Sequence, residues 1–290
     1  MRYFYYPGCS MSSSALEYDV SARAVLQALG AEVVEVEDWT CCGASAAETL
    51  SFLLSLVLPA RNLALAEGME GSGDFLVGCS ACYTNHRKVA EYVKEDPQLL
   101  DKINAALSVE NLAYAGRIRV RHLLDVLAND FGPQAIAARV KRSLTRLSVA
   151  PYYGCQTVRP YSPFDDDDYP MSMDEVLAAA GANVFPYDMK AKCCSSALMT
   201  TKKEVALEMV GNLLRAAKGA DCIATVCPMC QLNLEAYQDD VSRHMGEDLH
   251  IPVLYLPQLL GLAFDLPRES LKLERNLTSP RPVLDKLGGG

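Results

Sequence analysis

Apolar positions along the chain form short units that alternate between the period of a strand and that of a helix. Arg2 to Tyr6 is short and aromatic and runs into Pro7-Gly8-Cys9, the pattern of a strand entering a tight turn. Ser12 to Leu29 carries apolar residues at helical spacing, with serines able to cap its start and Gly30 at its end. Ala31 to Val36 reads as a strand leading to Cys41-Cys42, Ala46 to Glu67 as a helix, and Asp74 to Val77 as a strand ending at Cys79-Ser80-Ala81-Cys82. The order then recurs. Leu147 to Tyr153, Ala182 to Tyr187 and Asp221 to Val226 read as strands, and Met173 to Ala180 (closed by Gly181) and Lys202 to Lys218 as helices. Ile118 to Leu127 resembles Ile251 to Leu260, each a strand running into a helix that closes its half.

Strand and helix alternating in one repeated order predict an α/β chain of two tandem related domains, each with a parallel β-sheet flanked by helices. The expected bounds are 1–144 and 145–266, with Asp96 to Ala115 a helical insertion in the first. After Pro267 the chain turns polar and ends in three glycines, so 267–290 is expected to be a flexible tail. The most apolar stretch, Leu50 to Leu58, is closed by Pro59 and Arg61. It falls short of the roughly 20 apolar residues a membrane span needs and is expected to be a buried helix.

The repeat gathers ten of the 11 cysteines into two sets of five: Cys9, Cys41, Cys42, Cys79 and Cys82, then Cys155, Cys193, Cys194, Cys227 and Cys230. Each falls just after a strand or in the first turn of the next helix, where open α/β sheets bind ligands and where helix N-termini favour thiolates. With 290 residues, half of them hydrophobic, the chain buries enough core to do without disulfide staples. The N-terminus has no apolar signal core, so a cytoplasmic location is expected, where thiols serve metal or redox chemistry. The net charge of −9, without a basic stripe, argues against nucleic acid as a partner.

Sulfur ligands select zinc, Cu(I) or iron–sulfur clusters. Zinc sites are almost always tetrahedral with four ligands. Five thiolates, two of them on consecutive residues whose side chains diverge, suit a multi-iron centre better. Zinc and plain buried thiols remain the competing readings. Closely spaced cubane runs are absent, so ferredoxin-type clusters belong to a partner.

The pattern CxnCCGxnCxxC, present twice with Tyr5-Tyr6-Pro7-Gly8-Cys9-Ser10, Cys41-Cys42-Gly43-Ala44-Ser45 and the CxxC pairs, resembles the CCG-domain (cysteine-rich domain) family, and within it the B subunits of heterodisulfide reductases (HdrB-like). That resemblance implies two noncubane 4Fe–4S clusters, one held by each set of five cysteines, with a substrate disulfide cleaved reductively between them as an iron of each captures one sulfur. It implies electrons arriving through a ferredoxin-like C subunit from a flavin-containing A subunit. This sequence departs from the pattern at Ser195, which follows Cys193-Cys194 where the first half has glycine. The departure predicts an altered second site. It brings in an alternative role, a non-catalytic electron-transfer or anchoring subunit of a dehydrogenase or succinate/fumarate-type complex.

Beyond the cysteines, His86 lies four residues after Cys82, so a helix would give them one face and His86 access to a leaving thiolate as a proton donor. Arg159, near Cys155, is a candidate for pairing with an anionic group of a substrate. His122, His244 and His250 have no cysteine nearby in sequence and read as structural, and Cys222 as a buried core residue. Asp165 to Asp168 read as a solvated loop, and Tyr152, Tyr153, Tyr161 and Tyr169 as core and turn residues or as the lining of an entrance.

Overall fold

The computed structural model describes residues 1–44, 46–161 and 163–288. It contains two four-stranded parallel sheets of identical order. In the first, β1 (Arg2–Tyr6) lies between β2 (Glu32–Glu35) and β3 (Asp74–Val77), and β4 (Val120–His122) extends the sheet beyond β3. In the second, β5 (Ser148–Tyr152) lies between β6 (Asn183–Val184) and β7 (Cys222–Thr225), followed by β8 (Val253–Tyr255). The chain leaves the central strand to one side and returns on the other. The carboxyl ends of β1 and β3, and of β5 and β7, therefore form a switch point of the kind at which such sheets hold ligands.

Strand alternation divides the side chains between two cores. Phe4 and Tyr6 face one core, while Tyr3 and Tyr5 face a second, to which Val149, Cys222 and Leu254 of the other sheet also belong. Into this shared core each half sends its first helix, where it meets the end of the other half. Leu16–Ala28 packs on Leu256–Ala263, and Ser172–Ala179 packs on Gly132–Arg139. The reciprocal packing joins the halves into one body with the cysteine-bearing strand ends on a common side.

Three expectations are corrected. Residues 267–288 are not a free tail, because Leu271 and Val283 are fully buried and Leu273 and Leu287 nearly so. Leu271 seats against Gly261, where any Cβ would collide with it. The apolar stretch after the first cysteine pair is helical but broken at Ser51, whose hydroxyl caps Phe52–Glu67 by accepting from the Leu54 N–H. Its start is exposed rather than buried, with Leu50 80% accessible and Phe52 and Leu54 also open. Finally, the serines at 12 and 13 do not cap the first helix, since their hydroxyls donate to the carbonyls of Gly8 and Cys9. The helical insertion stands, as Pro97–Leu107 with Asp96 capping it. Gly289 and Gly290 lie outside the described residues. Among the described residues no helix is long and apolar enough to cross a membrane.

Candidate functional site

All ten repeated cysteines lie beyond the carboxyl ends of the strands. Cys9 follows β1 in the turn Gly8–Met11, and Cys155 opens the turn Cys155–Val158 after β5. Cys79 and Cys227 are the N-cap residues of Ser80–Glu95 and Pro228–Glu235, which places Cys82 and Cys230 in the first turns, near free N–H groups and the positive end of each helix. Gly8 and Gly154 take positive φ, 69° and 74°, and a Cβ on them would sit 3.4 Å from the Cys82 sulfur and 3.0 Å from the Cys230 sulfur. Glycine at both turns lets the backbone approach the thiols closely.

The thiols interact in a chain that crosses the seam between the halves. Cys42 and Cys82 are 3.3 Å apart. The Cys79 and Cys227 thiols are near enough to perturb each other's ionisation across the seam, and Cys230 does the same to Cys227 and Cys194. Cys155 and Cys193 are a further interacting pair. Shared protons divide the set into donors and acceptors. The neighbouring Cys41 and Cys82 thiols hold Cys42 well below the ordinary thiol range, and Cys230 and Cys79 do the same to Cys227. The Cys155 thiol and the Ser195 N–H bring Cys193 down to about 6, while Cys155 itself is pushed up by that bond and by burial. Thiolates are the form that binds metal, and Cys42, Cys193, Cys194 and Cys227 are lowered toward it, while Cys41, Cys79, Cys82, Cys155 and Cys230 are pushed up. A cavity of about 300 Å3 opens here, walled by Cys155, Cys193, Cys194, Cys227 and Cys230 on one side and by Ser80, Ala81 and Asn85 on the other. Cys9, Cys41 and Cys193 are exposed, and the other ligand-set thiols are buried or half-buried. Among the described residues no three His, Cys, Asp or Glu side chains close on a point that a single metal ion would fill.

The loops before the cysteine pairs are held alike in both halves. The Tyr6 hydroxyl donates to the carbonyl of Thr40 at 2.9 Å, and the Tyr152 hydroxyl to that of Lys192 at 2.8 Å. Asn85 donates to the Cys42 carbonyl at 3.0 Å, and Asn233 to the Cys194 carbonyl. These asparagines were not among the expected site residues, although each stands three residues after its CxxC and is part of the repeat. Ser195 keeps the left-handed backbone of Gly43, with φ of 57° against 74°. The altered triplet therefore keeps the positive φ of this position in the second site.

His86 is fully buried and does not line the cavity. Its Nδ1 bonds the Cys82 carbonyl at 2.7 Å and its Nε2 meets the Asn62 amide at 3.3 Å, so both nitrogens are engaged away from the cleft and the proton-donor role lacks access. Arg159 is tied down as well, donating to the carbonyls of Asp167 and Ala191 and pairing with Asp168. The acidic run is a turn scaffold in which Asp165 accepts from Met171 and Ser172 and Asp166 from Asp168 and Tyr169. Tyr152 and Tyr153 are core residues, and Cys222 is fully buried within β7. His244 and His250 sit on the surface beside Glu208 and beside Asp239 and Asp248.

His122 departs from the background role expected of it. It ends β4 fully buried, its Nδ1 accepts from the Leu124 N–H, and its Nε2, which then carries the proton, lies 3.3 Å from the hydroxyl of Ser80, the neighbour of Cys79. Ser80 in turn bonds Thr157 of the other half at 2.7 Å. Tyr18 completes the seam. Its buried hydroxyl lies 3.0 Å from each of the Gly78 and Val226 carbonyls, the residues preceding Cys79 and Cys227, and its ring stacks on Tyr255 at 4.2 Å. These contacts are tertiary and leave no local mark in the sequence.

Comparison with known proteins agrees with this geometry. A family model described as a cysteine-rich domain, CCG, matches residues 3–87 and again 149–235. The 8-methylmenaquinol:fumarate reductase membrane anchor subunit of Wolinella succinogenes is 36% identical over 95% of this chain and 96% of its own length. The B subunit of the ferredoxin:CoB-CoM heterodisulfide reductase of Methanosarcina mazei is 29% identical over 97% of this chain and 95% of its own. A crystal structure of a hypothetical protein from Helicobacter pylori shares the fold, with a TM-score of 0.77 at 16% identity over 96% of this chain and 52% of that one. With both halves matched and the cysteines gathered at equivalent strand ends, the chain belongs to the CCG cysteine-rich domain family.

Proposed function

We propose that this chain is the iron–sulfur redox component of a multisubunit complex. It would hold one noncubane 4Fe–4S cluster with each set of five cysteines and reduce a disulfide, or a related sulfur compound, in the cleft between them. The observation that carries the reading is the meeting of Cys79 with Cys227 across the seam, beside a cavity walled by both halves. The donor set fits such clusters, since soft thiolates in fives, with glycine at the turns, leave room for a polynuclear centre. When bound, the two clusters supply one electron each, matching the two electrons and two protons that convert a disulfide into two thiols. The chain's own part is to fix ten thiolates, to hold the two CxxC turns together through Tyr18 and Ser80, and to enclose the substrate. Ferredoxin-like and flavin-containing subunits deliver the electrons, and the location is cytoplasmic.

A second reading has its own support. The fumarate reductase relative, at 36% identity, is named an anchor subunit, which favours an electron-transfer or anchoring role with no disulfide chemistry. Titrating the anaerobically purified, reduced complex with candidate disulfides, while following cluster signals by electron paramagnetic resonance, separates the two. Disulfide-dependent changes in both signals support catalysis. A single cluster that no disulfide perturbs overturns it in favour of the second reading.

A further inference from the structure

We propose that Asn85 and Asn233 are positioning residues that set the orientation of the two consecutive-cysteine pairs, an assignment resting on the cluster-binding reading above. Each asparagine stands three residues after the second cysteine of a CxxC, on the helix that begins there, and so shares a face with that cysteine. From that face the cysteine presents its thiol while the asparagine reaches the loop that carries the other pair. Asn85 Nδ2 lies 3.0 Å from the Cys42 carbonyl oxygen and 3.9 Å from the Cys42 sulfur. Asn233 Nδ2 donates to the Cys194 carbonyl, and Asn233 is buried.

The loops that carry Cys41-Cys42 and Cys193-Cys194 have no regular ladder to satisfy their backbone. Without the amide, the buried Cys42 carbonyl loses its donor, and the Cys194 carbonyl keeps only the hydroxyl of its neighbour Ser195 at 2.6 Å, so the peptide plane is freer to turn. Consecutive side chains diverge, so turning that one plane re-aims both thiols of the pair. The same atoms make the same bond in both halves, so the contact follows the cysteine geometry and not one local accident. In the first half the arrangement is reinforced. Asn62 clamps Thr40, just before the pair, by accepting from its N–H at 2.8 Å and donating to its carbonyl at 2.9 Å. Asn62 also meets His86, which grips the Cys82 carbonyl. In the second half Leu234 stands four residues after Cys230, where His86 stands four after Cys82, and it cannot make such a link.

The test uses the full-length chain purified without oxygen, comparing wild type with Asn85→Leu and Asn233→Leu, which keep the size and lose the donor, and with Asn85→Gln and Asn233→Gln, which keep it. Chains carrying Cys42→Ala or Cys194→Ala assign the paramagnetic signals to their halves. Asn85→Leu is expected to change the line shape of the first signal alone and to make its iron about 10-fold easier to strip with a chelator, the cost usual for an outer-shell partner of a metal ligand. Asn233→Leu is expected to do the same to the second signal, the glutamine chains to resemble wild type, and iron-free melting to stay close to wild type in all. Unchanged signals and chelator resistance in both leucine chains overturn the inference. So does joint loss of both signals with a lowered iron-free melting temperature, which marks general damage. Wild-type protein without iron overturns the cluster reading itself.

Discussion

At Gly43 and Ser195 the two halves meet one backbone requirement with different surroundings. Both residues are left-handed, which costs a side-chain-bearing residue about 1 kcal/mol and glycine almost nothing. A Cβ on Gly43 would stand 2.8 Å from both the Ala47 Cβ and the Leu58 Cδ1. Ser195 instead has room, buried with its hydroxyl near the Cys194 and Ala206 carbonyls. The glycine of the first triplet is thus demanded by the packing of the helices that follow it, and its replacement in the second leaves the path of the cysteine pair intact.

The largest test of this equivalence is Cys42→Ala, expected to abolish the first cluster and leave the second, read as iron content and paramagnetic signal. Loss of both, or of neither, would contradict independent sites. The halves also differ in how their first helices are tied. In the second, Lys190 and Asp174 form an ion pair with side chains only 2% and 11% accessible, and Tyr153 donates to the same carboxylate. In the first, Asp19 likewise accepts from the buried Tyr5 hydroxyl at 2.8 Å, but its ion-pair partner Arg23 is 31% accessible. Asp174→Ala should therefore cost roughly 3–5 kcal/mol by stranding a buried ammonium, and Asp19→Ala less, about 1–3 kcal/mol, from the buried Tyr5 hydroxyl that loses its acceptor. Urea unfolding of the iron-free chains measures both, and equal costs would show that burial does not set the difference.

His122 ends β4 where Tyr255 ends β8, so the halves should also respond differently to acid. Burial lowers the His122 pKa to about 4 from an ordinary value of 6.5. Between those values the unfolded chain takes up a proton that the folded chain refuses. Stability therefore falls as the pH drops from 6.5 toward 4, by on the order of 3 kcal/mol. His122→Gln should flatten this fall in iron-free unfolding measured at pH 7 and 4.5, and an unchanged slope would remove His122 as its source. The smallest contrast returns to the triplets. Gly43→Ser should destabilise by roughly 1–3 kcal/mol through overpacking, while Ser195→Gly should change stability by less than about 1 kcal/mol.

Much of this arrangement was written in local pattern. Strand β1 has the bounds its aromatic run predicts, and glycines mark where β1, β3 and β5 hand over to a cysteine, so the repeat places the thiols near strand ends. Asn85 and Asn233 were equally legible, three positions further along the same repeat. What escapes local reading depends on the other half of the chain. Leu271 and Val283 are isolated apolar residues in a polar stretch, and only the groove against Gly261 and the shared core reveals their use. Leu50 has the hydropathy of a core residue, but the break at Ser51 leaves it outside. Tyr18 and His122 act at the seam through contacts that no spacing encodes.

The most direct test of the central claim is metal and sulfide analysis of the full-length protein purified without oxygen. The account predicts iron and acid-labile sulfide in the amounts of two polynuclear clusters per chain, with zinc at background. Zinc in place of iron, or thiols that titrate freely with no bound metal, would contradict it.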